Sequence, residues 1–152
     1  MSEPLIVRHW VAATPERVWE AYFTPEQFHQ FFAPEGLSIP LESVVIEPHV
    51  GGRFACTMVF DGTGQENPNN GTLLEVDPPN RFVGGESVDN IEGSFRSTWT
   101  FDVEGDGTLM TVVQEGLPDG FAGNPEVYEA FRSSYRKLGR LLDVETAERP
   151  CG

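Results

Sequence analysis

The chain has 152 residues, 39% hydrophobic and 11% aromatic, which is enough to bury a core and too apolar for intrinsic disorder. Its 24 acidic against 10 basic residues leave a net charge of −14, which works against nucleic acid and anionic membrane surfaces because both demand a positive field. No apolar stretch approaches the about 20 residues of a membrane helix, and the amino terminus lacks the basic-then-apolar layout of a signal peptide, so a cytoplasmic protein is expected, with one domain over residues 1–146 and a flexible tail at 147–152.

Glu3 to Ala12 reads as a strand, with Leu5, Val7 and Val11 alternating against Ile6, Trp10 and Ala12; both faces are apolar, so the inner one stays open. Thr14-Pro15-Glu16 then offers a hydroxyl cap, a proline at the first helical position and an acid in the first turn. Thr24-Pro25-Glu26-Gln27 repeats the device, with Gln27 placed to complete a capping box. Two short helices near 15–23 and 25–32 follow, split by a proline that a helix interior rejects. From Ser43 to Leu117, turn chemistry at Pro48 to Gly52, Asp61 to Gly71, Asp77 to Asn80, Val88 to Gly93 and Glu104 to Gly107 separates six strands.

A four-residue loop at 104–107 sets Val103 opposite Thr108. Phe101 then faces Met110, Trp99 faces Val112 and Ser97 faces Gln114, all on one side of the sheet. Arg96, Thr98, Thr100 and Asp102 take the other side, a water-facing pattern. Asn124-Pro125-Glu126 opens the last helix, about Pro125 to Val144, in which Val127, Phe131, Ser134, Leu138 and Leu141 recur at helical spacing. Its apolar side needs a surface to cover, and the one-sided antiparallel sheet supplies it. The order therefore predicts an α+β fold in which a curved sheet grips one long helix, with the space between them filled by side chains or left as a pocket.

Val11-Ala12-Ala13-Thr14-Pro15-Glu16-Arg17-Val18-Trp19, Phe31-Phe32-Ala33-Pro34-Glu35-Gly36, Val50-Gly51-Gly52-Arg53-Phe54 with Met58, and Gly71 with Glu75-Val76-Asp77-Pro78-Pro79 together resemble the homologues of the activator of the 90-kDa heat-shock protein's ATPase. That family lies in the START-like, or SRPBCC, superfamily of helix-grip folds, and the resemblance spans nearly the whole chain. It implies a seven-stranded antiparallel sheet wrapped around the carboxy-terminal helix, two short helices after the first strand, and an apolar cavity inside. It implies no single activity, because the superfamily includes lipid and hormone carriers, polyketide cyclases, hydroxylase subunits and co-chaperone domains. Phe31-Phe32 replaces a frequent Trp-Trp pair and Ser134-Tyr135 a Gly-Trp, changes that keep aromatic bulk but reshape any pocket.

His9, His29 and His49 lie far apart, outside any zinc spacing, and read as surface or structural residues. Asp102-x-Glu104-x-Asp106-Gly107 imitates the opening of a calcium loop, but Val113 stands where the twelfth-position acid is required, so it reads as a hairpin. Gly51-Gly52 precedes a strand and lacks the following Lys and helix of a phosphate loop; it reads as a sharp strand start. Cys56 inside a strand and Cys151 in the tail form no disulfide framework and no metal pair. With no nucleophile elbow and no dinucleotide fingerprint, no catalytic residue, metal or cofactor is assigned.

Phe54, Met58, Phe82, Trp99, Phe101, Met110, Val112, Phe131, Tyr135 and Leu138 make up either a solid core or the lining of a cavity. Gln114, Tyr128 and Tyr135 are the polar groups placed to orient a guest, with Arg53 or Glu66 at a strand edge or rim. The leading expectation is binding of a small apolar molecule, a lipid or a polyketide-like aromatic. Two alternatives stay open: a chaperone-associated domain that docks a protein through its acidic surface, and a cyclase-, dehydratase- or hydrolase-like enzyme using isolated polar groups in the same cavity.

Overall fold

Residues 4–88, 91–117 and 120–149 are described by the structure, a computed structural model. The first strand, β1 (Leu5–Val11), buries Leu5, Val7, His9 and Val11, which settles its inner face. Helices α1 (Pro15–Phe23) and α2 (Pro25–Phe31) begin at their prolines. Thr14 Oγ1 accepts from the Arg17 amide, but Thr24 makes no side-chain cap. Gln27 is drawn elsewhere: its Oε1 accepts from Arg17 at 2.7 Å and its Nε2 donates to Glu20 at 3.2 Å, so the expected capping box does not form.

Next come β2 (Leu37–Ser38), a 3-10 turn at Leu41–Ser43, β3 (Val45–Ile46), β4 (Phe54–Phe60), β5 (Glu66–Asp77), β6 (Arg81–Val88), β7 (Ile91–Glu104) and β8 (Gly107–Glu115). The long helix α3 (Pro125–Leu142) and a final strand β9 (Thr146–Arg149) close the chain. The sheet is antiparallel in the order β2-β4-β5-β6-β7-β8-β1-β9, with β3 paired to β4 off that path. The β7–β8 register is the expected one: Val103 opposite Thr108, Phe101 opposite Met110, Trp99 opposite Val112 and Ser97 opposite Gln114. Ahead of β4, a Cβ on Gly52 would lie 2.2 Å from the Glu47 carbonyl oxygen, so only glycine permits the chain to fold back this closely.

Four expectations need correction. Among the described residues nine strands replace seven, because the short edge pieces β2 and β9 are added to β1 and the six strands read between Ser43 and Leu117. The turn after Asp61 is short, and Glu66 to Gly71 is strand, held by Val59↔Glu66, Met58↔Asn67 and Cys56↔Asn69 pairs with β4; cross-strand pairing overrides the weak strand preference of Asn and Pro. The last helix stops at Leu142 because Asp143 turns left-handed, with φ 56°, and the Val144 amide donates to the Gly139 carbonyl. The chain then doubles back, and Ala147 to Arg149, expected as tail, pair with β1 at Trp10↔Ala147, His9↔Glu148 and Arg8↔Arg149. The centre of the Val88 to Gly93 turn and Cys151 lie outside the described residues.

This is a helix-grip fold, and two helical layers share the concave face of its curved sheet. The α1 aromatics take the half formed by Phe54, Phe82 and Phe101. Trp19 meets Phe82 and Phe101 edge-on at 5.6 and 6.0 Å, Tyr22 lies 5.4 Å from Phe101, and Phe23 sits 5.0 Å from Phe82 and 5.6 Å from Phe54. The long helix α3 lies against α2, β1 and β9. The surface carrying Phe101, expected under α3, is therefore covered by α1.

Candidate functional site

Where α1 and α2 give out, the concave face is left with a partly open cavity of about 160 Å³. Alternation along the strands aims Met58 of β4, Asn69 of β5, Phe95 and Trp99 of β7, and Gln114 of β8 into it. From above, α3 contributes Ala130, Phe131, Ser134 and Tyr135, two neighbouring pairs one helical turn apart. Tyr22 of α1, with Phe32 and Pro34 just after α2, completes the wall.

Of the residues anticipated as lining, five meet here: Met58, Trp99, Gln114, Phe131 and Tyr135. Phe54, Phe82, Phe101, Met110, Val112 and Leu138 are buried away from the cavity wall, packed in the common core. Tyr128 also stands off: its hydroxyl accepts from the Gly123 amide at 3.3 Å and its ring lies under the Arg132 guanidinium. Arg53 and Glu66 are exposed. The liner most readily missed is Asn69, hidden in a stretch read as turn; once Glu66 to Gly71 is extended, parity with the buried Leu73 places it on the inner face.

Trp99 forms the firmest part of the wall. Its indole stacks on Phe82 at 4.7 Å with the planes 10° apart, so a fully buried ring backs it. The chain's only lysine fixes another part: Lys137 Nζ donates to the carbonyls of Ala33, Pro34 and Leu37 at 2.9, 3.2 and 3.2 Å. The Glu35 amide donates to Ser133 Oγ at 3.0 Å. Together they tie the segment bearing Phe32 and Pro34 to α3, and partial burial lowers the Lys137 pKa.

The polar groups of the wall are neutral. Gln114 Nε2 donates to Ser97 Oγ at 3.0 Å. Asn69 Oδ1 and the Tyr135 hydroxyl are buried without a hydrogen-bond partner. Burial, reinforced by Tyr22, pushes the Tyr135 phenol far above its ordinary value, so it stays protonated. Behind Tyr135 lies His9, 2% exposed, ring centroids 5.0 Å apart and both ring nitrogens without a partner. Burial, then the charges of Arg132, Arg136 and Arg149, lower its pKa to about 4, which keeps it uncharged near neutrality.

Elsewhere, Asp102 to Gly107 is the end of the β7–β8 hairpin, and no three His, Cys, Asp or Glu side chains converge among the described residues. Among those residues, no helix is long and apolar enough to cross a membrane.

The family described as "Activator of Hsp90 ATPase homolog 1-like protein" matches the chain over residues 12–143. Among solved structures, a protein from Chromobacterium violaceum is 25% identical, with a TM-score of 0.81 over 91% of this chain and 96% of that one. A protein from Rhodobacter sphaeroides is 22% identical, with a TM-score of 0.82 over 94% and 95%. The AHSA1 protein of Silicibacter pomeroyi is 22% identical, with a TM-score of 0.72 over 93% and 98%. No curated protein matches the chain by sequence.

Proposed function

The chain belongs to the activator of Hsp90 ATPase homolog 1-like family, and from that premise we propose that it binds a small, largely apolar molecule in the space between the sheet and α3. The observation that carries this reading is the wall: a protein with 24 acidic and 10 basic residues lines this space with aromatic, Met, Ala and Pro side chains and a few uncharged polar ones. Such a wall gains by covering an apolar guest and offers nothing to a charged one.

Chemical-shift mapping tests it. Lipids, flavonoids and monocyclic aromatics are titrated into the native chain and into Ala130→Phe, whose added ring fills the cavity from α3. Binding should shift the Trp99 indole and Met58 methyl signals in the native chain and leave those of the filled variant in place. If no compound in the panel moves either signal, the cavity is not a ligand site.

A further inference from the structure

We infer that Lys137, which does not itself line the cavity, positions one side of its wall and so limits the breadth of guest the cavity admits. The inference rests on the reading of the cavity as a ligand site and adds the residue that sets its width.

The wall is not uniform. Its buried liners, Tyr22, Trp99 and Tyr135 among them, lie deepest, and the half-exposed ones stand nearer solvent. All of the half-exposed liners except Phe32 and Pro34 are carried by strands or by α3. Those two lie in the irregular segment between α2 and β2. That segment is anchored at its ends. The Phe32 amide donates to the Phe28 carbonyl at 3.1 Å, and the Asp61 amide donates to the Gly36 carbonyl at 2.9 Å, beside the Leu37↔Phe60 pair. Between the anchors, Pro34 has no amide hydrogen to donate, and the ties run to α3.

Two stripes of α3 divide the work. Ala130, Phe131, Ser134 and Tyr135 line the cavity, while Ser133 and Lys137, one turn apart, meet the segment. The Lys137 ammonium has three donors, and the carbonyls of Ala33, Pro34 and Leu37 match them, so a single side chain holds both ends of the stretch that carries Pro34. Ser133 holds its middle through the Glu35 amide. A further link, Arg140 to Glu35 at 3.6 Å, is a solvent-exposed ion pair and contributes little. Hydrogen bonds from a charged donor are stronger than neutral ones. Loss of the ammonium therefore loosens Phe32 and Pro34 from α3 while the sheet keeps its own ladder.

Lys137→Met keeps the aliphatic stem and removes the ammonium. The Glu35 and Leu37 amides should exchange roughly tenfold faster in it by NMR, the factor lost with one net hydrogen bond to a charged group. Amides of the β7–β8 ladder should keep their native rates, which shows the variant folded. Ser133→Ala should act in the same direction, and it carries both readouts if Lys137→Met does not fold. The size test titrates toluene, naphthalene and pyrene into the native chain and the variants, read at the Trp99 indole and Met58 methyl signals. In the native chain affinity should rise with apolar area until one member is too broad, and should fall there. A guest that needs the segment displaced binds only the fraction of molecules in which it is displaced, so the affinity of that member relative to toluene should rise roughly tenfold in Lys137→Met. Faster amide exchange with an unchanged relative affinity means that Lys137 only braces the segment, and overturns the inference while ligand binding stands. Unchanged exchange in both variants overturns it too, as does native affinity that climbs without a break through pyrene. If none of the three compounds binds any of the proteins, the reading of the cavity as a ligand site falls and this inference with it.

Discussion

Replacing Phe82 by Ala separates the core from the cavity wall. Phe82 is fully buried, and six aromatic rings surround it: Trp99 at 4.7 Å, Phe23 at 5.0, Phe54 at 5.4, Trp19 at 5.6, Tyr22 at 5.9 and Phe101 at 6.0 Å. A buried Phe removes at least about 150 Å² from water, worth about 4 kcal/mol at 25 cal/mol per Å². The rings around it are held by one another and cannot collapse into the void, so the cost belongs at the upper end of the about 3–5 kcal/mol range of Phe→Ala changes. Phe131 is the contrast. It is partly exposed on the cavity wall, its one ring neighbour among the described residues is Tyr135 at 6.3 Å, and its removal widens an existing space. Phe131→Ala should cost about 1 kcal/mol. For a chain of this length the two changes correspond to falls in Tm of about 10–20 °C and about 2–4 °C. Urea unfolding at constant m-value measures both. Equal losses for the two variants would refute the division of the concave face into a packed half and an open half.

Two further outcomes follow from close approaches near β1. His9 is held near pKa 4 in the fold against about 6.5 in the unfolded chain, so the unfolded state takes up the proton first. Its stabilising contribution is whole above pH 6.5 and is lost as the pH falls toward 4. Compared with His9→Leu, the native chain should lose an additional stability on the order of 2 kcal/mol between pH 7 and pH 4.5, read from urea midpoints; parallel profiles for the two proteins would count against a neutral buried imidazole. Gly107→Ala would place a Cβ 2.2 Å from the Val11 carbonyl oxygen and 2.8 Å from the Trp10 ring, so β1 and β8 must separate. A cost of at least about 2 kcal/mol, with faster amide exchange in the Val11–Thr108 region, is expected; a neutral substitution would mean that the strands do not approach so closely.

Local chemistry made the helices legible, since Thr14-Pro15, Thr24-Pro25 and Asn124-Pro125 mark starts that the structure reproduces. A short hairpin connection likewise makes the β7–β8 register legible, because parity leaves no freedom once one pair is set. What stayed hidden depends on distant partners. Asn69 is a turn-former until β4 and β6 pair with it, and Ala147 to Arg149 look loose until β1 supplies an edge. His9 sits among Leu5, Val7 and Val11 at strand spacing, and only its burial shows that an imidazole joins that face. The assignment of Phe82 and Phe101 to core and not to cavity turns on which helix covers them, a choice that the apolar pattern of α1 and α3 alone does not make.

The division of labour between the helices has a consequence for what the cavity can admit. On the α1 side, ring-on-ring packing from Trp19 to Trp99 forms a floor with no slack, so a guest cannot gain room by pushing inward. On the other side, the wall is built from single tethers: Lys137 to three carbonyls and Ser133 to the Glu35 amide hold the segment of Phe32 and Pro34 against α3. A guest that needs more room than this partly open space gives would therefore have to displace that segment, at the expense of hydrogen bonds to a charged ammonium that are individually stronger than neutral ones. If the cavity takes a ligand, as proposed, the rigid floor and tethered rim would restrict its shape, and the uncharged lining its charge.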